Sequence, residues 1–243
     1  MIRPAQAFGT DASLVEVAPG VSLSVTDLGE GLPLMLLHGV SMSAAYFHSV
    51  IDPLVEAGYR VVVPDLRGHG RSPAVEGGHT VGQYADDINA LLDALGIDRC
   101  VLVGWSMGNL VAWELMHRHG RERVLAHINI SQGPTDLQTE DFPDAPLSIE
   151  AIHGFVAGCQ ADYRGSMEHF APVMFKDDLS AEDLARNSAT CSRAPTRSIS
   201  TTASASSASS IFDHGSVPAL TLGRRKSVWL GTNPPPGRAL SMS

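Results

Sequence analysis

Arg99-Cys-Val-Leu-Val-Gly-Trp-Ser-Met-Gly-Asn109 is the stretch that decides the fold. Cys100 to Val103 reads as a short buried strand running straight into Gly104-Trp-Ser-Met-Gly108, and a helical pattern from Leu110 to His119 follows at once. Gly-x-Ser-x-Gly between a strand and a helix is the signature of a nucleophile elbow. So tight a turn puts Ser106 in strained backbone, and side chains in place of Gly104 and Gly108 would collide with neighbouring chain. The strain lifts the Ser106 hydroxyl clear of the sheet edge. It also sets the Met107 N–H at a helix N-terminus, where it can stabilise an oxyanion. Gly and Ser are common, so the motif alone is weak; the apolar strand before it and the helix after it give it weight.

Upstream, Leu14-Val-Glu-Val17 and Val21-Ser-Leu-Ser-Val25 flank Pro19-Gly20, which predicts a hairpin. Leu34-Met-Leu-Leu37 is a fully apolar strand ending at His38-Gly39-Val40. Gly39 lets the backbone turn, and the Val40 N–H can serve as a second oxyanion donor. His38 precedes the elbow and reads as a histidine that braces its loop. Ala44 to Ala57 is helical, Val61-Val-Val63 is a buried strand ending at Pro64, and Asp65-Leu-Arg-Gly-His-Gly-Arg-Ser72 follows as a compact turn. A charge-assisted hydrogen bond between Asp65 and Arg67 is expected to tie that turn. Thr80 is the expected N-cap of a helix from Val81 to Leu95, and Val124 to Ile130 is a further strand. Strands alternating with helices predict an α/β protein, a mostly parallel sheet with helices on both faces.

His38-Gly39, Asp65-x-Arg-Gly-His-Gly-x-Ser72 and Gly104-x-Ser-x-Gly108, in this order, resemble the α/β-hydrolase superfamily, in particular its esterase and cofactor-free chloroperoxidase-like branch. The resemblance covers about residues 12 to 134. It implies an α/β-hydrolase fold, Ser106 as nucleophile, and Val40 and Met107 as the oxyanion hole. It also implies a triad ordered Ser, acid, His, which leaves Asp65 and His69 out of it. Haloalkane dehalogenases share the pattern but carry Asp where Ser106 stands.

The domain reading is a core over residues 1–140, a helical cap over 141–190, a Ser/Ala/Thr-rich segment over 191–216, and a residual core strand with a Pro-rich tail over 217–243. Within the cap, Phe155, Tyr163 and Phe170, with Phe175 just beyond, either roof a pocket or fill a core. Ser180-Ala-Glu-Asp183 is a capping-box variant. Val217-Pro-Ala-Leu-Thr-Leu-Gly223 reads as the next core strand, which in the superfamily precedes the catalytic acid. Here Arg224-Arg-Lys-Ser227 follows, with no carboxylate. A last strand and helix, with the catalytic His before that helix, have no counterpart. A shifted reading frame after about residue 190, or a truncated gene, would produce this pattern.

Asp136, with Glu140 and Asp141 behind it, is the candidate acid in the place some members use after the sixth strand. His153, His169 and His214 are the histidines left for the base. The function expected is a serine hydrolase of a small ester or related acyl compound. The alternatives are a catalytically impaired fold that at most binds a ligand, and an unstable remnant.

With 243 residues the chain is long enough for one α/β domain, and its net charge of −9 argues against nucleic-acid and anionic-membrane partners. No apolar run approaches the roughly 20 residues of a membrane span, and Met1-Ile-Arg-Pro-Ala-Gln6 lacks the apolar core of a signal peptide. The expected location is cytoplasmic and the expected partner a small-molecule substrate. The 3 cysteines cannot build a disulfide framework, and the 10 histidines include no His-x-x-x-His pair on one helix, so neither a metal nor a cofactor is expected.

Overall fold

The computed structural model describes residues 12–133, 138, 140–145 and 147–170, together with the backbone of residues 219–221 and 227–229. The predicted hairpin is present as β1 (Ala12–Ala18) and β2 (Val21–Leu28), antiparallel, with Val15 opposite Leu23. β3 (Leu32–Leu37), β4 (Tyr59–Pro64), β5 (Cys100–Trp105) and β6 (Val124–Ile130) complete a six-stranded sheet in the order β1-β2-β4-β3-β5-β6. The pairs β3–β4, β3–β5 and β5–β6 are all parallel.

Alternation along the strands sorts the core into two faces. Met35 and Leu37 of β3, Val62 of β4, and Cys100 and Leu102 of β5 point to the face covered by α2 (Val81–Ala94) and α3 (Met107–His119). Leu34, Leu36, Val61, Val63 and Val101 point to the other, against Ala44 and Phe47 of a short 3-10 turn and Ile51 of α1 (His48–Glu56). Thr80 caps α2 as the sequence predicts, its hydroxyl accepting from the Gln83 N–H at 3.2 Å. α4 (Ile149–Ala161) and α5 (Tyr163–Phe170) carry Cys159, Met167, Phe155 and Tyr163 onto Met42, Tyr46 and Trp105.

One expectation is corrected. Arg67 does not pair with Asp65. It reaches α2 instead, and its Nε and Nη2 donate to Asp87 Oδ2 and Oδ1 at 2.7 and 2.6 Å, with both side chains buried. The Asp65 carboxylate accepts backbone N–H groups from Ala44 at 2.6 Å and Arg71 at 2.9 Å. One amide from the turn itself and one from the segment after β3 occupy the two oxygens of Asp65, and the longer guanidinium spans to the helix. Of the Val217–Gly223 run, three residues are described. Ala219–Thr221 (β7) pairs antiparallel with Ser227–Trp229 (β8) in a separate two-stranded sheet, and among the described residues the six-stranded sheet ends at β6. A strand-forming run only a few residues downstream offers β7 a partner at little loop-closure cost.

Among the described residues three histidines are buried: His38 after β3, His69 in the β4–α2 connection and His127 in β6. Burial pushes His38 down to about 4 from an ordinary value of 6.5. It pushes His127 down to about 4 as well. His69, buried and then further opposed by His38, is pushed down to about 3. The rings of His38 and His69 lie 5.1 Å apart, so both are held neutral side by side.

Two outcomes follow from these buried groups. Unfolded histidines take up protons near pH 6.5, whereas the folded sites refuse them until about 4 or 3. Over that window the unfolded chain binds more protons, so stability is full above pH 6.5 and falls as the pH drops, each histidine adding up to about 1.4 kcal/mol per pH unit. Urea midpoints measured from pH 7 to pH 5 should decline steeply, and a flat profile would contradict neutral burial. Asp87→Ala should cost about 3–5 kcal/mol by stranding the Arg67 charge, and Arg67→Met with Asp87→Leu should recover most of it. Urea denaturation of the single and double variants checks this.

Candidate active site

Ser106 joins β5 to α3 with φ 50° and ψ −122°. Its positive φ is a strained conformation for a residue with a Cβ. The strain is held from several directions. Ser106 N–H donates to the Ile130 carbonyl at the end of β6, at 3.0 Å, and the Ser106 carbonyl accepts the Asn109 N–H at 2.8 Å. A Cβ on Gly108 would overlap the Leu37 carbonyl, and one on Gly104 would come within 2.5 Å of Asn109 Oδ1. The two motif glycines therefore serve close approach, as the spacing predicts.

The strand order places this elbow. β4 lies on one side of β3 and β5 on the other, so the chain reverses its direction of winding at β3. In open α/β sheets ligands bind beyond the carboxyl ends of the strands at such a switch. The loops that leave β3 and β5 meet there, and a Cβ on Gly39 would stand 3.3 Å from Ser106 Cβ and 3.1 Å from the Trp105 ring. Among the described residues the non-glycine residues of positive φ are Ser41, Ser106 and Ser131. They follow β3, β5 and β6, so the strained backbone is gathered at the carboxyl edge of three neighbouring strands.

Met107 is the first residue of α3, so its N–H has no acceptor one turn back. Val40 lies in the turn after β3, with its side chain 37 % exposed. Trp105 stacks on Tyr46, with centroids 4.2 Å apart and planes 4° from parallel, between the sheet and the apolar contacts of α4 and α5. Phe155 meets Phe170 at 5.3 Å within those two helices.

His38 braces its loop. Its Nδ1 bonds the Gly39 carbonyl at 2.8 Å, and its Nε2 accepts the Leu66 N–H at 3.0 Å. His69 is buried and bonds the Arg67 carbonyl through Nδ1 at 2.9 Å. His153 and His169 are exposed on α4 and α5, and Glu140 and Asp141 are exposed as well. Asp136, His214, Phe175 and the Ser180–Asp183 cap motif lie outside the described residues. Among the described residues no histidine hydrogen-bonds the Ser106 hydroxyl. Nor does any group of three His, Cys, Asp or Glu residues there stand close enough to hold a metal ion.

Sequence reading passed over a buried polar pair beside the elbow. Asn109 is fully buried, and its Nδ2 donates to the carbonyls of Ser106 at 3.3 Å and Ile130 at 3.1 Å. His127 Nε2 lies 3.1 Å from Asn109 Oδ1. The signal was present in β6. His127 and Asn129 share one face of an otherwise apolar strand, and both are buried under α3 rather than turned to water.

The sequence profile described as "alpha/beta hydrolase fold" matches residues 33–207. A non-heme haloperoxidase from Rhodococcus erythropolis is 37% identical over 142 residues, covering 58% of this chain and 52% of that protein. A pimeloyl-(acyl-carrier protein) methyl ester esterase from Aeromonas hydrophila is 32% identical over 165 residues, covering 67% of this chain and 61% of that protein. The chain thus spans between half and two thirds of the length of these relatives. The crystal structure of a bromoperoxidase from Bacillus anthracis superposes with a TM-score of 0.72 at 26% identity, covering 76% of this chain and 70% of that one. With the strained serine, the strand order and the profile in agreement, the chain belongs to the α/β-hydrolase family.

Proposed function

We propose that this chain is a serine hydrolase acting on a small ester or related acyl compound through an acyl-serine intermediate. The observation that carries the proposal is Ser106 at φ 50° on the β5–α3 turn, beside the loop that leaves β3. A strained serine at a helix N-terminus, at a switch in strand order, is what a nucleophile needs and what a packing residue does not. The relatives named as an esterase and a haloperoxidase support hydrolase chemistry of this class.

In the reading we favour, Ser106 Oγ attacks the carbonyl carbon of the substrate while its proton passes to a general base. The oxyanion accepts hydrogen bonds from the Val40 and Met107 N–H groups. The bond to the leaving alcohol breaks, and the alcohol departs with the proton. Water, deprotonated by the same base, then attacks the acyl-serine and releases the acid. The buried histidines 38, 69 and 127 are committed to hydrogen bonds elsewhere, so the base belongs to a later segment. His214 is the candidate for it and Asp136 for the carboxylate that orients it. α4 and α5 act as a cap, with Tyr46 and Trp105 forming part of the pocket wall. A perhydrolase or chloroperoxidase-like reaction would use the same serine and oxyanion donors with peroxide as the acyl acceptor. Among the described residues no helix is long and apolar enough to cross a membrane, and we place the activity in the cytoplasm.

A second reading, a ligand-binding fold without turnover, draws on the absence of a carboxylate in Arg224-Arg-Lys-Ser227 after the Val217–Gly223 run.

A fluorophosphonate probe separates the two. On the first reading it labels Ser106, and Ser106→Ala both abolishes labelling and lowers p-nitrophenyl acetate hydrolysis by about 10⁴-fold or more. A folded wild-type protein that remains unlabelled and hydrolyses no ester would support the second reading and overturn the first.

A further inference from the structure

We propose that Asn109 and His127 form a positioning pair that aims the Met107 N–H, through the peptide unit it shares with the Ser106 carbonyl. The inference rests on the nucleophile reading of Ser106 and deepens it.

The peptide between Ser106 and Met107 is planar and trans, so its C=O and N–H point in opposite directions. Whatever grips the carbonyl therefore aims the amide. The Ser106 carbonyl accepts two hydrogen bonds from one residue, the Asn109 N–H at 2.8 Å and Asn109 Nδ2 at 3.3 Å. The same Nδ2 donates to the Ile130 carbonyl at 3.1 Å, which also receives the Ser106 N–H at 3.0 Å. Asn109 thus joins both ends of the strained residue to the end of β6.

This works only with the amide in one orientation. If the amide were flipped, Oδ1 would face two carbonyl oxygens and no donor. The orientation that satisfies both carbonyls puts Oδ1 against His127 Nε2, 3.1 Å away, and an amide oxygen there requires a hydrogen on that nitrogen. His127 thereby locks the amide. It stands on β6, and the Trp113 ring meets it edge-on at 6.1 Å and 87°. On Gly104, a Cβ would displace the Asn109 side chain, so the first motif glycine also keeps room for this pair. His127 is thus a positioning residue that acts on the peptide through Asn109.

The experiment uses the full chain and two readouts, amide hydrogen exchange at Ser106 and the kinetics of fluorophosphonate inactivation. Asn109→Ala and His127→Leu should each speed exchange at the Ser106 amide by about tenfold or more while the Leu36 amide in β3 is unchanged. Each should slow the maximal inactivation rate by about 10- to 100-fold with the probe's half-saturating concentration unchanged. The double variant should be no slower than Asn109→Ala alone, because the two act in one chain of contacts. His127→Gln, which keeps a donor for Asn109 Oδ1, should restore both readouts to within about threefold.

Unchanged exchange and rate in Asn109→Ala would overturn the proposal. So would multiplying effects in the double variant, or a His127→Gln protein as slow as His127→Leu. Should His127→Leu fail to fold, His127→Gln against Asn109→Ala decides alone, and equal losses in both overturn the proposal. If the wild-type protein does not react with the probe, the nucleophile reading fails while the exchange readout still tests whether the pair holds the peptide.

Discussion

The approach of Gly108 to the carbonyl of Leu37 is the contact on which the rest of this structure depends, since no Cβ fits between the two backbones. It brings the first turn of α3 directly onto the end of β3. Two consequences follow from the covalent geometry of the chain. The residues after Leu37, from His38 to Ser41, must run beside the elbow. Ser106, two residues before Gly108, is left with no relaxed path between β5 and α3 and takes a positive φ. Strain of this kind costs about 1–3 kcal/mol per residue. It persists because the parallel pairing of β3 with β5, from Leu34 opposite Val101 to Leu37 opposite Gly104, and the buried clusters on both faces of the sheet fix the two ends of the turn.

The carboxyl edge of the sheet is held by buried polar groups as well as by apolar packing. His38 links the β3 loop to Leu66, and Asp65 takes the N–H groups of Ala44 and Arg71. The Ser72 hydroxyl donates to the Asp65 carbonyl at 2.6 Å and accepts the Ser24 N–H at 2.9 Å. These side chains satisfy the backbone amides and carbonyls of the loops, beside buried Met42 and Leu66. Burial pushes the Asp65 carboxyl up from its ordinary value and the His38 and His69 imidazoles down. These groups serve order, and burial disfavours the charged form of each.

The fold was legible in the sequence because its signals are local. The apolar runs at Leu34–Leu37, Val61–Val63 and Cys100–Val103 are strands wherever their context allows. Gly-x-Ser-x-Gly fixes the turn that follows the third of them, and Thr80 announces its helix by the identity of one side chain. The partner of Arg67 was not legible, because Asp65 is engaged in part by the Ala44 amide, 21 residues upstream, and Asp87 comes within reach only when α2 packs. Nor was the role of Asn109. A polar residue after the motif reads as exposed until the strand that covers it, 18 residues downstream, is in place.

The site therefore divides along a physical line. On the reading proposed above, the part that places a nucleophile and stabilises charge is built from backbone, two glycines and the ends of adjacent parallel strands, all within residues 32–133. It is self-supporting because the same contacts make the core. The part that moves protons needs an acid and a base delivered by side chains from segments that contribute little to that core. In serine hydrolases the first part alone retains about 10³–10⁴-fold of rate over water when triad members are removed. On the reading proposed above, that first part is made by Ser106, Met107 and the turn at Val40. Whether the later segments supply a base is thus a question about proton transfer and leaves the folding of the elbow untouched.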